Sequence, residues 1–588
     1  MKKSVFILAI VSVLFVFTSC EDFLDTKNYT AKDDSSFPRT EEDAFQLVNG
    51  VYYSMLQAIT RSNYVVYSYF FTSELSADYR LGGGGIADRN VRAITHQQYT
   101  FSDMHNYTWE THYNGIARAN AALKALEGME DGVAKSQKMG EMKVLRAHFY
   151  FELVQMLGDV PLMRAAPENV EEAKVAPLQA TQEEIYQFLT KDLWDAYNDM
   201  PDVKWNDYPS GTITKWAAAG ILARAFLFYT GFYNKESLPV EGGGQVTREQ
   251  VAAALKNCID NSGHSLVPDY RSLWAYSNSI TKRDYPYAVN ATEWVRDGLN
   301  PEHVYVCKMI SGTANFCNDY ALYMSLRRGA RVTYETIFPI GQGWGFGPVN
   351  PRLWDEWAAD EPDDLRRQAS IWHHEHETVY DITTRDEVPA TYEWAQDGMV
   401  ENTGLWQKKV IGIRAYGKNG NNNVLWNGFM SAPEYFNITA DNFQRATGTD
   451  FIFVRFADIH LMHSEITRTA DGINTVRARV NLPPVAGYSD DALRKERLHE
   501  LAFEGHRWMD IRRWHIAEEV LDNKYGVTIF NEDHFTTMKP QGARVSDRYR
   551  ATKGFFMIPI TQITLSEGAI KQNPGWDGVD AVYDTFVD

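Results

Sequence analysis

A helix-starting signal recurs through the first 265 residues of this chain and constrains its fold more than any other feature. Thr40-Glu41-Glu42-Asp43, Thr181-Gln182-Glu183-Glu184 and Thr247-Arg248-Glu249-Gln250 each place a threonine three positions ahead of a side chain that can return its hydrogen bond. A hydroxyl and a carboxylate or amide at that spacing satisfy first-turn amides, so each tetrad predicts a helix N-terminus. Apolar residues follow at helical spacing: Phe45, Val48, Val51, Tyr52 and Met55, then Ile185, Phe188, Leu189 and Leu193, then Val251 to Cys258. Two more long amphipathic runs, 140–157 and 214–230, lie among them. The first stops at Leu157-Gly158-Asp159-Val160-Pro161, where glycine ends a helix and proline cannot continue one.

Successive helices with short connections predict helix pairs. Trp216-Ala217-Ala218-Ala219-Gly220, continuing to Ala225-Phe226, has the small/large alternation of closely packed tetratricopeptide helices. From 266 to 450 helical periodicity fades, and glycine, proline, asparagine and aromatics rise. Nine of the sixteen tryptophans fall in this region, under a third of the chain, so it is predicted to be an aromatic-rich insertion. Helical patterns return at 456–468 and 490–515.

The N-terminus carries a different message. Lys2 and Lys3 precede an almost wholly apolar stretch from Val5 to Phe17, and Phe17-Thr18-Ser19-Cys20 is followed by Glu21, Asp22 and Asp25. A helix over that stretch spans roughly 20 Å, short of the ~30 Å of a bilayer core, so it is predicted to be a signal-peptide core and not an anchor. Small residues before the cysteine resemble the lipobox of a bacterial lipoprotein precursor, in which the cysteine thiol takes a diacylglycerol and becomes the new N-terminus. Residues 1–19 are then the signal peptide and 20–39 a polar, lipidated tether. Acidic residues after the cysteine resemble the export signal of surface lipoproteins in Bacteroidetes-type Gram-negative bacteria.

Charge narrows the partners. The net charge is −19, and loss of Lys2 and Lys3 takes it to −21. Binding to nucleic acid rests on neutralising phosphates, so no nucleic-acid role is expected. An anionic bilayer would not hold this chain by charge either, so a lipid on Cys20 must. Beyond Cys20 only Cys258, Cys307 and Cys317 occur, too few for a disulfide framework. Cys307 and Cys317 are read either as a pair or as free buried thiols.

Several segments resemble one family, the SusD/RagB nutrient-binding lipoproteins. They are Val144-Leu145-Arg146-Ala147-His148-Phe149-Tyr150-Phe151-Glu152-Leu153 with Leu157-Gly158-Asp159-Val160-Pro161-Leu162, and the run from Phe453-Val454-Arg455 to Ser464-Glu465. Ile473 to Arg479, Leu493 to Arg513, Phe556-Met557-Ile558-Pro559-Ile560 and Asn573-Pro574-Gly575 also fit, in the family's order. The resemblance implies a mainly α fold: four tetratricopeptide-like helix pairs as scaffold, formed by 40–265 and completed by 451–588, with an irregular loop and short-strand insertion at 266–450. It implies a cell-surface outer-membrane lipoprotein that sits over a TonB-dependent, SusC-like transporter and binds glycans or, in some members, peptides. The charges from Glu496 to Arg513 are read as an ion-pair network tying the last helices to their neighbours.

Sugars present apolar C–H faces and many hydroxyls, so a sugar site needs exposed aromatic planes with a few polar groups at the rim. Within the insertion, Trp274-Ala275-Tyr276 puts two aromatics on one face if extended, and Asn315-Phe316-Cys317-Asn318-Asp319-Tyr320 mixes aromatic and polar groups. Trp344 is the leading candidate: the alternating glycines of Gly341-Gln342-Gly343-Trp344-Gly345-Phe346-Gly347 give its indole little local cover. Gly82 to Gly85 either bring backbone close to a ligand or simply bend. The family's habit of placing the segment after the first helix near the ligand implies Asp78 and His96 as further contacts. Trp344, Trp274, Tyr276, Tyr320, Asp78 and His96 are thus the expected ligand contacts.

His373-His374-Glu375-His376 lacks the His-Glu-x-x-His spacing, and on a strand only His374 and His376 share a face, so no metal ligand set is assigned. No cofactor motif, nucleophile elbow or anchored catalytic carboxylate pair stands out. The expectation is capture of an oligosaccharide without covalent change, the chain being no enzyme. The alternatives are peptide capture on the same scaffold and, further off, a secreted glycoside hydrolase, which needs two carboxylates about 5 to 9.5 Å apart.

Overall fold

The computed structural model of the protein describes residues 41–60, 62–167, 178–313, 315–327, 340–381, 384, 386–394, 398–435, 437, 442–445, 447–576 and 582–583. Cys20, with the signal and tether around it, and Thr40 lie outside them. Contacts divide the chain into Met1–Gln46 and Leu47–Asp588. Of the first unit only 41–46 are described, and they open helix α1 (Glu41–Thr60). The second unit holds the rest of the described residues.

That unit is mainly helical. After α1 come α2 (Tyr69–Ser76), α3 (Arg89–Thr95), α4 (Asn106–Glu127), α5 (Val133–Leu157), α6 (Gln182–Asp199), α7 (Lys215–Phe232) and α8 (Arg248–Asn261). Among those that follow residue 450 are α9 (Phe456–Thr467), α10 (Asp471–Arg479), α11 (Asp490–Leu501) and α12 (Arg507–Arg513), with three further helices after them (Ala517–Val520, Val545–Thr552 and Ile560–Leu565). Neighbours in sequence pack as neighbours in space: α4 on α5, α5 on α6, α6 on α7, α7 on α8. Two of the later helices close the array, α9 against α8 and α12 against α7.

Local chemistry explains these boundaries. Thr181 and Glu184 exchange hydrogen bonds in a complete capping box, as do Thr247 and Gln250, so α6 and α8 begin where the tetrads predict. Gly158 stops α5 with φ +72°, a left-handed conformation that glycine adopts without penalty. In α7, Gly220 lets the helix approach a strand: a Cβ there would stand 3.2 Å from Val454 Cγ1. From Lys215 to Ala223 every side chain of α7 is buried, so it is a core helix with no polar face over that span.

The described strands form only two-stranded ladders. Strand β1 (His303–Cys307) pairs antiparallel with β4 (Phe451–Arg455), joining the start of the insertion to its end. Between them β2 (Ile371–His373) pairs with β3 (Leu405–Gln407). One apolar core gathers Tyr270, Trp274, Tyr276, Trp294, Trp372, Trp406 and Trp426 with Val480 and Leu482 from beyond residue 450.

The charges of the C-terminal helices form a buried ion-pair network. Arg455 holds Glu302 at 2.8 Å, Glu500 at 2.9 Å and Glu504 at 2.7 Å. Arg366 holds Asp364 at 2.8 Å, Glu496 at 2.6 Å and Glu500 at 3.1 Å. Burial alone would raise the Glu500 carboxyl, but the guanidiniums of Arg479, Arg455 and Arg366 outweigh it and hold the group well below the usual carboxylate range. Charges so deeply buried persist only because each is paired.

Candidate functional site

The two glycine-rich segments singled out in the sequence lie against each other. Leu81 N–H donates to the Pro348 carbonyl at 3.0 Å, Gly84 N–H to the Gly345 carbonyl at 2.8 Å and Gly347 N–H to the Gly82 carbonyl at 3.0 Å. Glycine is required for this approach. A Cβ on Gly83 would stand 2.4 Å from the Gly345 carbonyl oxygen, and one on Gly345 would stand 2.3 Å from Arg327 Cβ. Both residues have positive φ, +69° and +74°. The partner of Gly82–Gly84 in this close packing is the 345–348 segment.

This junction carries Trp344. Its N–H donates to the Leu322 carbonyl at 3.1 Å, and its carbonyl accepts from Arg327 Nη1 at 3.2 Å. The indole is half-buried and lies 6.2 Å from the Phe443 ring, centroid to centroid. Arg327 also reaches Asp88 at 3.5 Å, and Asp88 Oδ2 accepts from Gly85 N–H at 2.7 Å. Two residues on, the Asn90 amide donates to the Tyr67 hydroxyl. Tyr67 meets Phe101 edge-on at 5.8 Å, and Tyr64 stacks on Tyr107 at 4.6 Å. Tyr64 is 48% exposed and Phe101 44%, so both offer ring faces to solvent. A chain of contacts runs from Phe101 through the buried Tyr67 to Asn90, and beside it Asp88 reaches Arg327, which bonds the Trp344 main chain. Apart from Trp344, sequence reasoning missed these residues; the one local signal was the place of Asp88 and Asn90 three and five residues after Gly85.

The other five expected contacts sit elsewhere. Trp274 and Tyr276 are 2% and 1% exposed inside the apolar core, with Lys409 Nζ 5.1 Å above the Trp274 ring. Tyr276 lies on a 3-10 turn (Ala275–Ser277) and Trp274 joins it to another (Tyr270–Leu273), so the two do not share a face of one extended strand. Tyr320 is 2% exposed and meets Phe70 edge-on at 4.8 Å. Asp78 is fully buried, its oxygens 2.8 and 2.7 Å from the Arg507 guanidinium. His96 is fully buried between the Tyr525 and Tyr583 rings. Burial and the nearby Lys524 and Arg92 charges push its pKa down to about 3. These five side chains serve the interior because their partners arrive from distant segments that local pattern does not reveal.

The histidine-rich segment also departs from expectation. Strand β2 ends at His373 and the chain turns, with His376 and Glu377 N–H groups donating to the His373 carbonyl at 3.1 and 2.9 Å. The turn brings one ligand atom each of His373, Glu375 and His376 within 4.8 Å of one another, a grouping that the strand reading of His374 and His376 did not contain. Cys258, Cys307 and Cys317 are all free and buried, so the paired reading of Cys307 and Cys317 is not realised. Among the described residues no helix is long and apolar enough to cross a membrane.

Two family descriptions match the chain: "Starch-binding associating with outer membrane" over residues 22–227 and "SusD family" over 350–576. The chain belongs to the SusD/RagB family. A SusD-like protein of Bacteroides ovatus is 27% identical over 206 residues, about a third of each chain. SusD-like protein P2 of Formosa agariphila is 21% identical over 98% of this chain and 100% of its own. Among solved structures, a laminarin-binding SusD-like protein superposes with a TM-score of 0.65 at 22% identity, covering 92% of this chain and 100% of that one. Surface glycan-binding protein A from Bacteroides fluxus gives 0.67 at 19%, with the same coverage. The same-named protein from Bacteroides thetaiotaomicron, in complex with laminarihexaose, gives 0.64 at 16%, covering 91% of this chain and 100% of that one. These likenesses establish the fold.

Proposed function

We propose that the protein is a cell-surface glycan-binding lipoprotein, anchored through Cys20, that captures an oligosaccharide and passes it to a TonB-dependent, SusC-like outer-membrane transporter. The observation that carries this reading is the surface at the glycine junction. There Trp344, Phe101 and Tyr64 offer aromatic faces, and Asp88, Asn90 and Arg327 stand between them with hydrogen-bonding groups. Sugar rings stack their C–H faces on such planes while amides, carboxylates and guanidiniums take the hydroxyls. Relatives described as binding laminarin, laminarihexaose or a xylogluco-oligosaccharide support the ligand class. The binding is non-covalent, and no bond is made or broken.

Incubation of the purified mature chain with a panel of oligosaccharides and peptides tests the reading. Retention of an oligosaccharide at unchanged length is expected. Shortened products would replace the reading with a hydrolase, and retention of peptides alone with a peptide carrier. Fatty-acid labelling lost in Cys20→Ala is expected for the anchor, and unchanged labelling would remove it. Co-purification of a TonB-dependent transporter from the native membrane tests the partner.

A further inference from the structure

The turn that ends β2 gathers donor atoms that the glycan surface does not use. Glu375 N–H donates to His373 Nδ1 at 3.1 Å, and the His376 and Glu377 N–H groups return to the His373 carbonyl, so the segment folds back on His373. One ligand atom each of His373, Glu375 and His376 lies within 4.8 Å of the other two. The His373 and His376 ring centroids are 4.5 Å apart, and His374 Nε2 stands 3.5 Å from Glu375 Oε1.

A buried indole backs the two rings. Trp354, on the helix Pro351–Asp360, stacks on His376 at 5.6 Å with 13° between the planes and meets His373 at 4.9 Å. Side chains packed in place beforehand lose less freedom when a ligand orders them. Glu375 and His376 are exposed, so an ion reaches the cluster from solvent without opening the fold. The Arg367 guanidinium lies 4.3 Å from the same indole and is the charge a bound cation has to tolerate; Glu375 is the ligand that brings a countercharge.

The donor types narrow the ion. Calcium and magnesium take oxygen ligands, whereas imidazole suits zinc, nickel and copper. Two imidazoles and a carboxylate form a set that zinc takes with its fourth position left to water. The amide bond to Nδ1 fixes the His373 tautomer, with its lone pair facing the turn and its proton on Nε2. An ion bound through Nδ1 takes the place of that amide proton, and the freed N–H of an exposed residue bonds water instead.

We propose that His373, Glu375 and His376 form a surface site for one divalent transition-metal ion of the zinc class, with His374 as a positioning residue beside the Glu375 carboxylate. The site uses none of the residues of the glycan surface and stands or falls apart from it.

The untagged mature chain, stripped with EDTA and dialysed, is titrated with zinc chloride by calorimetry, with calcium chloride as control and cobalt(II) as a visible-absorption probe of imidazole ligation. The tightest site is expected to take one zinc ion per chain and calcium at least tenfold more weakly. Glu375→Gln and His376→Ala change exposed side chains, so the metal-free melting temperature should hold while zinc affinity falls at least tenfold in each. Asp297→Asn is the converse control and should leave zinc affinity unchanged, since Asp297, His303 and Asp450 form a separate grouping. Absence of zinc binding by the native chain overturns the site. So does native affinity in either Glu375→Gln or His376→Ala, or a tenfold loss in Asp297→Asn, because the ion is then held elsewhere. Calcium bound as tightly as zinc also overturns it, as general attraction of cations to an acidic chain.

Discussion

Asp78 and Arg507, 429 residues apart, face each other as a two-pronged ion pair with bonds of 2.8 and 2.7 Å. The pair ties the start of the first glycine loop to helix α12. Burial opposes the charge on Arg507, but Asp78 more than compensates and raises its pKa. Removing one partner strands the other charge in a dry interior, at a cost of about 3–5 kcal/mol. Asp78→Ala is therefore expected to lower unfolding stability by about that amount in urea titration. Glycan affinity per folded molecule should stay within about twofold, since less than 0.5 kcal/mol separates such affinities.

Trp344→Ala is expected to leave the melting temperature nearly unchanged, because the half-buried indole contributes little to the core. Oligosaccharide binding should weaken about threefold to tenfold, the worth of one aromatic stacking partner at roughly 0.5–1.5 kcal/mol. Isothermal titration calorimetry measures it, and equal affinity would exclude this indole as a platform.

Gly345→Ala should damage the same surface without touching an aromatic ring. The added methyl meets Arg327 Cβ at 2.3 Å in a left-handed backbone conformation. Strain of about 1–2 kcal/mol adds to an overpacking cost of about 1–3 kcal/mol. Tryptophan fluorescence should shift and glycan affinity fall, although every predicted contact residue is still present.

Acid sensitivity follows from histidines buried in their neutral form. His96 and His499 are pushed down to about 3 and His264 to about 4, each chiefly by burial. In the unfolded chain these groups take up protons near 6.5. Their folded pKa values are lowered, so the stability they confer is present above 6.5 and is lost as pH falls toward 4. Each adds up to about 1.4 kcal/mol per pH unit to the slope. Glu377, raised to about 7 by burial against the pull of Lys408, acts in the opposite sense between its unfolded pKa and 7. Urea melts at pH 7.5, 6.0 and 5.0 should show a shallower decline for His499→Gln than for the native chain.

The three buried thiols should be inert. Burial pushes Cys258 and Cys317 up to about 12 and Cys307 higher still. A thiol reagent at pH 8 should label none of them in the folded chain and all three in denaturant.

Helix boundaries were legible in the sequence because caps and stops are local. Thr181 with Glu184, Thr247 with Gln250, and Gly158 each act within about one turn, so a short window contains the whole cause. Which aromatic ring faces outward was not legible. Trp274 and Trp344 stand in similarly irregular segments. Trp274 is covered by Lys409 and its neighbours, whereas Trp344 is left half-open by glycines docked on a segment some 260 residues earlier. Asp78 and His96 were opaque for the same reason: Arg507, Tyr525 and Tyr583 come from the far end of the chain. The histidine turn failed on register, since β2 ends at His373 and the next three residues do not alternate as a strand would.

The contacts between the two glycine loops are made by main-chain amides and carbonyls. No exchange of side chains at positions 344 or 443 can remove them. Ligand preference can therefore drift by replacing the rings at the surface while the frame beneath keeps its shape, which separates the evolution of taste from the maintenance of fold.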